Sequence, residues 1–131
     1  MGVIRARARL VIRGDGPAGT LTAHLGVPPT VAYGRGDVLV SRAGRPAEET
    51  RWELETDLPD GRPLADHLAW LLERVDPAAL AGLPAGYAVE WIWHVEVSAG
   101  EAVVEVDPAL VGSLPGTLRV EVYPIRAGQS R

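Results

Sequence analysis

The sequence contains no cysteine. Disulfide bonds and thiolate metal sites are therefore excluded, and we expect a reducing, cytoplasmic location. Lysine, asparagine and phenylalanine are absent as well, whereas alanine, glycine, proline and arginine are abundant. This bias is typical of GC-rich coding, so the use of arginine instead of lysine does not by itself indicate guanidinium chemistry.

Long apolar runs and an excess of positive charge are also missing. No run approaches the roughly 18 apolar residues that a membrane-spanning helix needs. The segment Met1–Arg7 carries arginines and no apolar stretch, which argues against a signal peptide. Ala6 occupies the position where a myristoylation signal needs serine or threonine. The net charge of −4 argues against nucleic acid or an anionic membrane as a partner, because binding to either needs a positive field.

What is present is the composition of an ordinary globular domain. The 131 residues are 47% hydrophobic and 23% charged, which are usual values for a protein with one packed core. The sequence shows neither repeats nor low-complexity segments. We predict a single α+β domain over residues 1–126 and a flexible tail over residues 127–131.

Hydrophobic periodicity predicts the order β-α-β-β-α-β-α-β. Apolar residues that alternate with charged or polar residues indicate half-buried strands, and apolar residues at three- and four-residue spacing indicate an amphipathic helix. The predicted strands are Val3–Arg13, Thr30–Arg42, Thr50–Thr56, Tyr87–Ser98 and Thr117–Ile125, the second one irregular around Gly34–Asp37. The predicted helical segments are Ala18–Leu25, Pro63–Val75, Asp76–Leu83 as a turn or short helix, and a short helix that begins at Asp107-Pro108.

Each predicted strand has one apolar side and one charged side. This pattern is typical of a mixed, mainly antiparallel sheet with helices packed on one face. We therefore predict five strands that form a ferredoxin-like core with one added strand. This topology places the first strand between the third and the fourth, so its arginines would pair with glutamates across the strands. The arginines are Arg5, Arg7 and Arg9, and the glutamates are Glu53, Glu55, Glu90 and Glu96.

The apolar sides of the strands predict the core. Two small residues on the first strand, Ala6 and Ala8, would leave room for large neighbours. Those neighbours are the tryptophans on the inward positions of the third and fourth strands, Trp52, Trp91 and Trp93. The last strand is expected to place Leu118, Val120 and Val122 inside.

A literal G-x-G-x-x-G motif, Gly14–Gly19, lies between a predicted strand and a predicted helix. In a dinucleotide-binding fold such glycines let the backbone approach a pyrophosphate, and an acidic residue such as Asp37 would follow at a suitable distance. The preceding strand alternates arginine with apolar residues, however, whereas a parallel strand of that fold is buried on both faces. The short helix and the lack of further β-α-β units also favour a plain glycine-rich turn.

The histidines and hydroxyl side chains form no recognisable catalytic or metal site. His24, His67 and His94 lie on three different predicted elements without a ligand spacing. His94 shares the charged side of its strand with Glu90 and Glu96, where acid–base or zinc chemistry is the alternative to a solvated surface. No serine lies in a nucleophile elbow. The sequence thus predicts no catalytic residue, no metal and no cofactor.

Trp70 differs from the other tryptophans. It lies on the predicted helix Pro63–Val75 but off the stripe of leucines, close to charged residues. A tryptophan in such a position is a candidate interface anchor, and packing against a neighbouring loop is the alternative.

Several segments of the sequence resemble a bacterial family of uncharacterised proteins, the domain-of-unknown-function family DUF4279. The segments that carry the resemblance follow in order along nearly the whole chain: Leu25–Thr30, Gly34–Asp37, Trp52–Leu54, His67–Leu72, Asp107–Leu110 and Leu118–Tyr123. The resemblance implies a small bacterial cytoplasmic domain, and it supplies no catalytic residues.

We predict a non-enzymatic module that binds another protein, with an immunity- or antitoxin-like neutraliser as one form of this function. The candidate binding residues are Trp70, Arg42, Arg45, Glu90, His94 and Glu96. The alternatives are a small-molecule-binding or enzymatic domain with a pocket between sheet and helices, and a structural domain that forms a homodimer. The sequence is compatible with a monomer or a homodimer.

Overall fold

The structure, a computed structural model, describes residues 3–39, 43–97 and 106–124. Arg42 and the predicted tail over residues 127–131 lie outside the described residues. The elements in the described part are β1 (Val3–Gly14), α1 (Ala18–Leu25), β2 (Val31–Tyr33), β3 (Thr50–Glu55), α2 (Leu64–Arg74), α3 (Pro77–Ala81), β4 (Tyr87–Val97), α4 (Pro108–Val111) and β5 (Thr117–Pro124). No helix in these ranges is both long and apolar enough to span a membrane.

The strands form one mixed sheet in the order β2-β3-β1-β4-β5. β1 pairs antiparallel with both β3 and β4, and β2 pairs antiparallel with β3. β5 pairs parallel with β4 and is reached through α4. The prediction of a five-stranded α+β domain is confirmed, as is the position of the first strand between the third and the fourth.

The core lies on one side of the sheet, which we call the inner face. Trp52 and Trp91 are 0% and 1% exposed, and all four helices contribute side chains to the same apolar cluster. Ala8 lies opposite Trp93 across the β1–β4 pair, so the small side chain leaves space for the large one, as predicted. The two fully buried indoles each satisfy their N–H group, Trp52 with the Oγ1 of Thr22 and Trp91 with the carbonyl of Pro115.

Capping residues set the ends of the short helices. Asp76 and Asp107 are the N-cap residues of α3 and α4, and each carboxylate accepts a hydrogen bond from the backbone N–H two residues later, at 2.9 and 3.0 Å. The proline that follows each aspartate begins the helix, as the sequence predicts. In α2 the prediction is off by one residue, because Pro63 is the N-cap and the helix begins at Leu64.

The second strand is much shorter than predicted. β2 ends at Tyr33, where the chain enters a turn: the Asp37 carboxylate accepts a hydrogen bond from the Gly34 N–H at 2.8 Å, and Gly36 has a φ of 91°. After the turn only an isolated bridge joins Val38 to Pro46. The left-handed glycine and the side-chain hydrogen bond stop the strand, so its predicted extension is wrong for the described residues up to Leu39.

The last strand does not bury its inward residues as expected. The register of β5 with β4 places Val120 and Val122 on the inner face, yet they are 39% and 50% exposed. β5 is an edge strand, whereas α1 and α2 contact β3 and β1. The described helices therefore leave this part of the inner face uncovered, and the expected burial of these two valines is wrong.

Candidate binding surface

The other side of the sheet, which we call the outer face, carries the charged side chains. Strand alternation in β1, β3, β4 and β5 places arginine, glutamate and histidine there, with tyrosines on both edge strands. Its members are Arg5, Arg7, Arg9, Val11, Arg13, Val31, Tyr33, Arg51, Glu53, Glu55, Glu90, Ile92, His94, Glu96, Arg119, Glu121 and Tyr123.

An apolar layer lies beneath the charges of the outer face. Val11 and Ile92 point to this face and are only 0% and 2% exposed. Arg9 lies opposite Ile92 in the register, and the methylene stems of arginines can cover apolar surface while their guanidinium groups stay in water. The charged side chains therefore cover the buried Val11 and Ile92 and do not extend freely into solvent.

Ion pairs connect the outer face across four strands. Glu90 lies 2.6 Å from a guanidinium nitrogen of Arg13 and 3.0 Å from one of Arg119. Glu53 lies 2.8 Å from Arg51 and 3.4 Å from Arg9. The remaining contacts are longer, at 3.6 to 3.8 Å: Arg5–Glu96, His94–Glu96, His94–Glu121, Arg9–Glu121 and Arg119–Glu121. The arginine–glutamate contacts form one continuous network from β3 to β5, which the Arg5–Glu96 pair joins only through the contacts of the neutral His94.

The predicted arginine–glutamate ladder is confirmed for Arg5 and Arg9 but not for Arg7. The register places Arg7 opposite His94, so no glutamate lies directly across from it on β4. Within the described residues, neither Arg7 nor Glu55 forms an ion pair. Both side chains line one depression of 240 Å³, together with Arg5, Arg9, His94 and Glu96. We call it the Arg7 depression.

The outer face differs in charge from the rest of the molecule. It carries six arginines and five glutamates, a formal charge of +1 with His94 neutral, whereas the whole chain has −4. Tyr33 on β2 and Tyr123 on β5 lie on either side of this charged centre, and Tyr123 is 46% exposed. Tyrosine and arginine are enriched in protein interfaces, whereas glutamate is depleted there.

The predicted binding residues do not form a single surface. Glu90, His94 and Glu96 lie together on the outer face. Trp70 lies on α2, half-buried against the core cluster of the inner face, with the guanidinium of Arg74 at 3.6 Å from its ring centroid. Arg45 is exposed in the loop before β3, and Arg42 lies outside the described residues. Arg7 and Tyr123 also lie on the outer face but were not among the predicted candidates, although strand alternation places both of them there.

The contacts of His94 do not favour acid–base or metal chemistry. Its ring nitrogens lie 3.6 and 3.7 Å from the carboxylates of Glu96 and Glu121, which is too long for hydrogen bonds that would orient a catalytic imidazole. Its ring packs against Tyr123 with centroids 4.7 Å apart. Within the described ranges, no three histidine, aspartate or glutamate side chains are arranged to hold a metal ion.

The glycine-rich motif has a packing role. A Cβ atom at Gly14 would lie 2.5 Å from the Gly86 carbonyl oxygen and 2.5 Å from a ring carbon of Tyr87, and one at Gly16 would meet the Tyr87 hydroxyl. The glycines thus admit the tyrosine ring. The adjacent cavity of 450 Å³ is lined by Asp15, Asp37 and Arg35, and Arg35 forms an ion pair with Asp15 at 3.3 Å. With two carboxylates and one guanidinium, the lining carries a formal charge of −1, which does not favour a phosphate.

This packing role predicts the effect of alanine at two positions. Gly14→Ala is expected to lower the free energy of unfolding by about 1–3 kcal/mol, because the backbone carbonyl of Gly86 cannot move aside easily. Gly19→Ala is the matched control, since an added methyl group there would meet nothing within 4 Å, and alanine favours the helix by up to about 1 kcal/mol. Urea denaturation measures both. Equal stability of the two variants would contradict the packing role.

Comparison with known proteins gives this chain a family. No curated protein and no solved structure matches it. The family model described as a domain of unknown function, DUF4279, matches residues 4–114, which is most of the chain and agrees with the resemblance seen in the sequence. The chain therefore belongs to the DUF4279 family.

Proposed function

We propose that this chain is a non-enzymatic module that binds another protein through the outer face of its sheet. The observation that carries the proposal is the continuous ion-pair network of that face, fixed over the buried Val11 and Ile92. Side chains that are already ordered lose little conformational entropy on binding, so a fixed charged surface favours recognition of one complementary partner.

We also propose that the chain has a ferredoxin-like core and an immunity- or antitoxin-like role in the cell. The four strands in the order β2-β3-β1-β4, all paired antiparallel, support a ferredoxin-like core to which β5 is added. Small size and an acidic surface outside the outer face fit an immunity- or antitoxin-like protein of the bacterial cytoplasm that neutralises its partner by covering it. It acts as a monomer or a homodimer.

A small-molecule or enzymatic site between the sheet and the helices is less well supported. The inward residues at that interface are tightly packed, with Leu10, Leu68 and Leu71 at most 1% exposed. The depression at His94 opens on the outer face, on the opposite side of the sheet from the helices. A binding function needs only the surface, whereas a pocket between the layers would need an opening in this packing.

The experiment is affinity capture from a lysate of the source organism, followed by mass spectrometry, with the chain and two outer-face variants. Tyr123→Ala and Arg119→Ala remove exposed side chains while Glu90 keeps its contact with Arg13. We expect one stoichiometric protein partner, whose affinity falls about tenfold or more in at least one variant.

Trp70→Ala is the control for the surface of the helix layer. Its side chain lies on the other side of the sheet, so it is expected to retain the partner. Circular dichroism establishes that each variant is folded. Capture that is lost only with Trp70→Ala would move the binding surface to α2, and an eluate that contains only the chain itself would contradict protein binding.

A further inference from the structure

The Arg7 depression contains one guanidinium and one carboxylate that have no ion-pair partner within residues 3–39, 43–97 and 106–124. The neighbouring arginines already form ion pairs: Arg5 contacts Glu96 and Asp60, and Arg9 contacts Glu53 and Glu121. Arg7 is half-buried in the middle of β1. Its guanidinium can therefore still donate charge-assisted hydrogen bonds to a ligand.

The placement of Arg7 concentrates positive charge. Arg5, Arg7 and Arg9 follow each other on the same side of β1, at spacings of about 6.5–7 Å along the strand. The middle guanidinium lies opposite His94, a group that supplies no negative charge. An anion bound to Arg7 would lie between its two arginine neighbours and would relieve part of their mutual repulsion.

The size and chemistry of the depression select the anion. A guanidinium presents a planar fork of N–H donors that matches a carboxylate in two parallel hydrogen bonds. The volume of 240 Å³ is below the roughly 300–1,000 Å³ of pockets that enclose a whole small ligand. It is large enough for a carboxylate at the end of a side chain that a larger molecule presents.

We propose that Arg7 binds a glutamate or aspartate side chain from an acidic segment of the partner protein. The inference rests on the proposed function, because the carboxylate reaches the depression when the partner covers the outer face. Glu55 lines the same depression and repels an incoming carboxylate. Arg7 thus attracts the carboxylate of the partner. Glu55 repels the same carboxylate, so it lowers the affinity and favours ligands whose carboxylate binds Arg7 on the side away from Glu55.

The test is a titration of the ¹⁵N-labelled chain with a hexaglutamate peptide at low ionic strength, where surface charges are screened least. The readouts are the Arg7 side-chain Nε–Hε signal and the backbone amides of β1 and β4. We expect saturable shifts at these signals and none with a hexalysine peptide. Arg7→Gln is expected to weaken binding about tenfold, and Glu55→Gln to strengthen it about threefold.

Arg35→Gln is the matched control, because it also removes one arginine, from an exposed ion pair with Asp15, which follows the last residue of β1 and does not line the Arg7 depression. It is expected to leave the affinity within twofold. Unchanged affinity in Arg7→Gln, shifts centred on Arg35, or weaker binding in Glu55→Gln would each overturn the inference. Equally tight binding of inorganic phosphate would also overturn it, since it would show a general anion site.

The two proposals fail in different ways. If the peptide does not bind but capture of a protein partner still depends on Arg119 and Tyr123, the carboxylate site is wrong and the outer face remains the interface. If the peptide binds at Arg7 but no protein partner is captured, the site stands and the proposed function is wrong.

Discussion

Trp91→Ala is expected to lower the free energy of unfolding by about 3–5 kcal/mol, a larger effect than that of any other substitution proposed for this chain. Trp91 is 1% exposed and lies on the inner face of β4, between β1 and the edge strand β5. Across the strands its neighbours are Leu10 on β1 and Leu118 on β5. Removing the indole would leave a cavity between three strands, and few neighbours could move to fill it.

The indole of Trp91 also joins the sheet to the segment that precedes β5. Its Nε1–H donates a hydrogen bond of 2.7 Å to the carbonyl of Pro115. Without the indole, this carbonyl loses its only side-chain donor in the described part of the chain. Since small domains are stable by only about 5–15 kcal/mol, the variant would lose a large fraction of its stability.

Urea denaturation followed by circular dichroism measures this prediction. Trp91→Phe keeps an aromatic ring and removes the hydrogen bond, so we expect a smaller loss of about 1–2 kcal/mol. Trp70→Ala is the control on a half-buried tryptophan, whose ring is partly covered by Arg74. A cost for Trp91→Ala no greater than that of either control would contradict the assignment of the inner face as the core.

The sequence predicts the layers of the fold well because burial in strands follows a two-residue period. Alternation in β1 places Arg9 outward and Leu10 inward, and the structure agrees. The same signal fails at the edge of the sheet. Val120 and Val122 follow the inward period, but whether an inward position is buried depends on which strand the helices cover. This is a property of tertiary structure that a one-dimensional pattern does not contain.

The candidate site shows a second limit. The arginine and glutamate positions predict a charged sheet face, yet they do not predict which arginine is left without an ion pair. That depends on register: β1 and β4 pair so that Arg5 faces Glu96 and Arg7 faces His94. Trp70 is a similar case. Helical periodicity places it off the leucine stripe of α2, but it does not predict that α2 packs on the inner face, on the opposite side of the sheet from the other candidate residues.

His67 is a titratable group buried in the core of the fold. It is 0% exposed on α2, its Nδ1 lies 2.6 Å from the Oγ1 of Thr56, and its ring centroid lies 4.9 Å from that of Trp93. Its Nε2 is buried and has no hydrogen-bond partner within the described residues. Burial lowers the pKa of His67, because an apolar environment disfavours the imidazolium, and the nearby Asp66 opposes this effect only in part.

This lowered pKa predicts a loss of stability in mild acid. In the unfolded chain His67 takes up a proton near its ordinary pKa of 6.5, whereas in the native state it does so only at a lower pH. The unfolded state therefore binds more protons between these two values, so the free energy of unfolding falls as the pH drops below 6.5. The loss stops growing below the native pKa, and above pH 6.5 His67 contributes no pH dependence.

Denaturation of the wild type and of His67→Leu between pH 5 and pH 8 isolates this contribution, because every other titratable group is present in both proteins. The leucine variant is expected to lose less stability than the wild type on going from pH 7 to pH 5. The difference in free energy of unfolding between wild type and variant should therefore become smaller, or change sign, at pH 5. His24→Gln is the matched control, since His24 is exposed on α1 and hydrogen-bonds the carbonyl of Ala79 at 2.8 Å. It should retain the wild-type decline. Parallel pH profiles for the wild type and His67→Leu would mean that the buried imidazole is protonated as readily in the native state as in the unfolded chain, and the desolvation argument would fail.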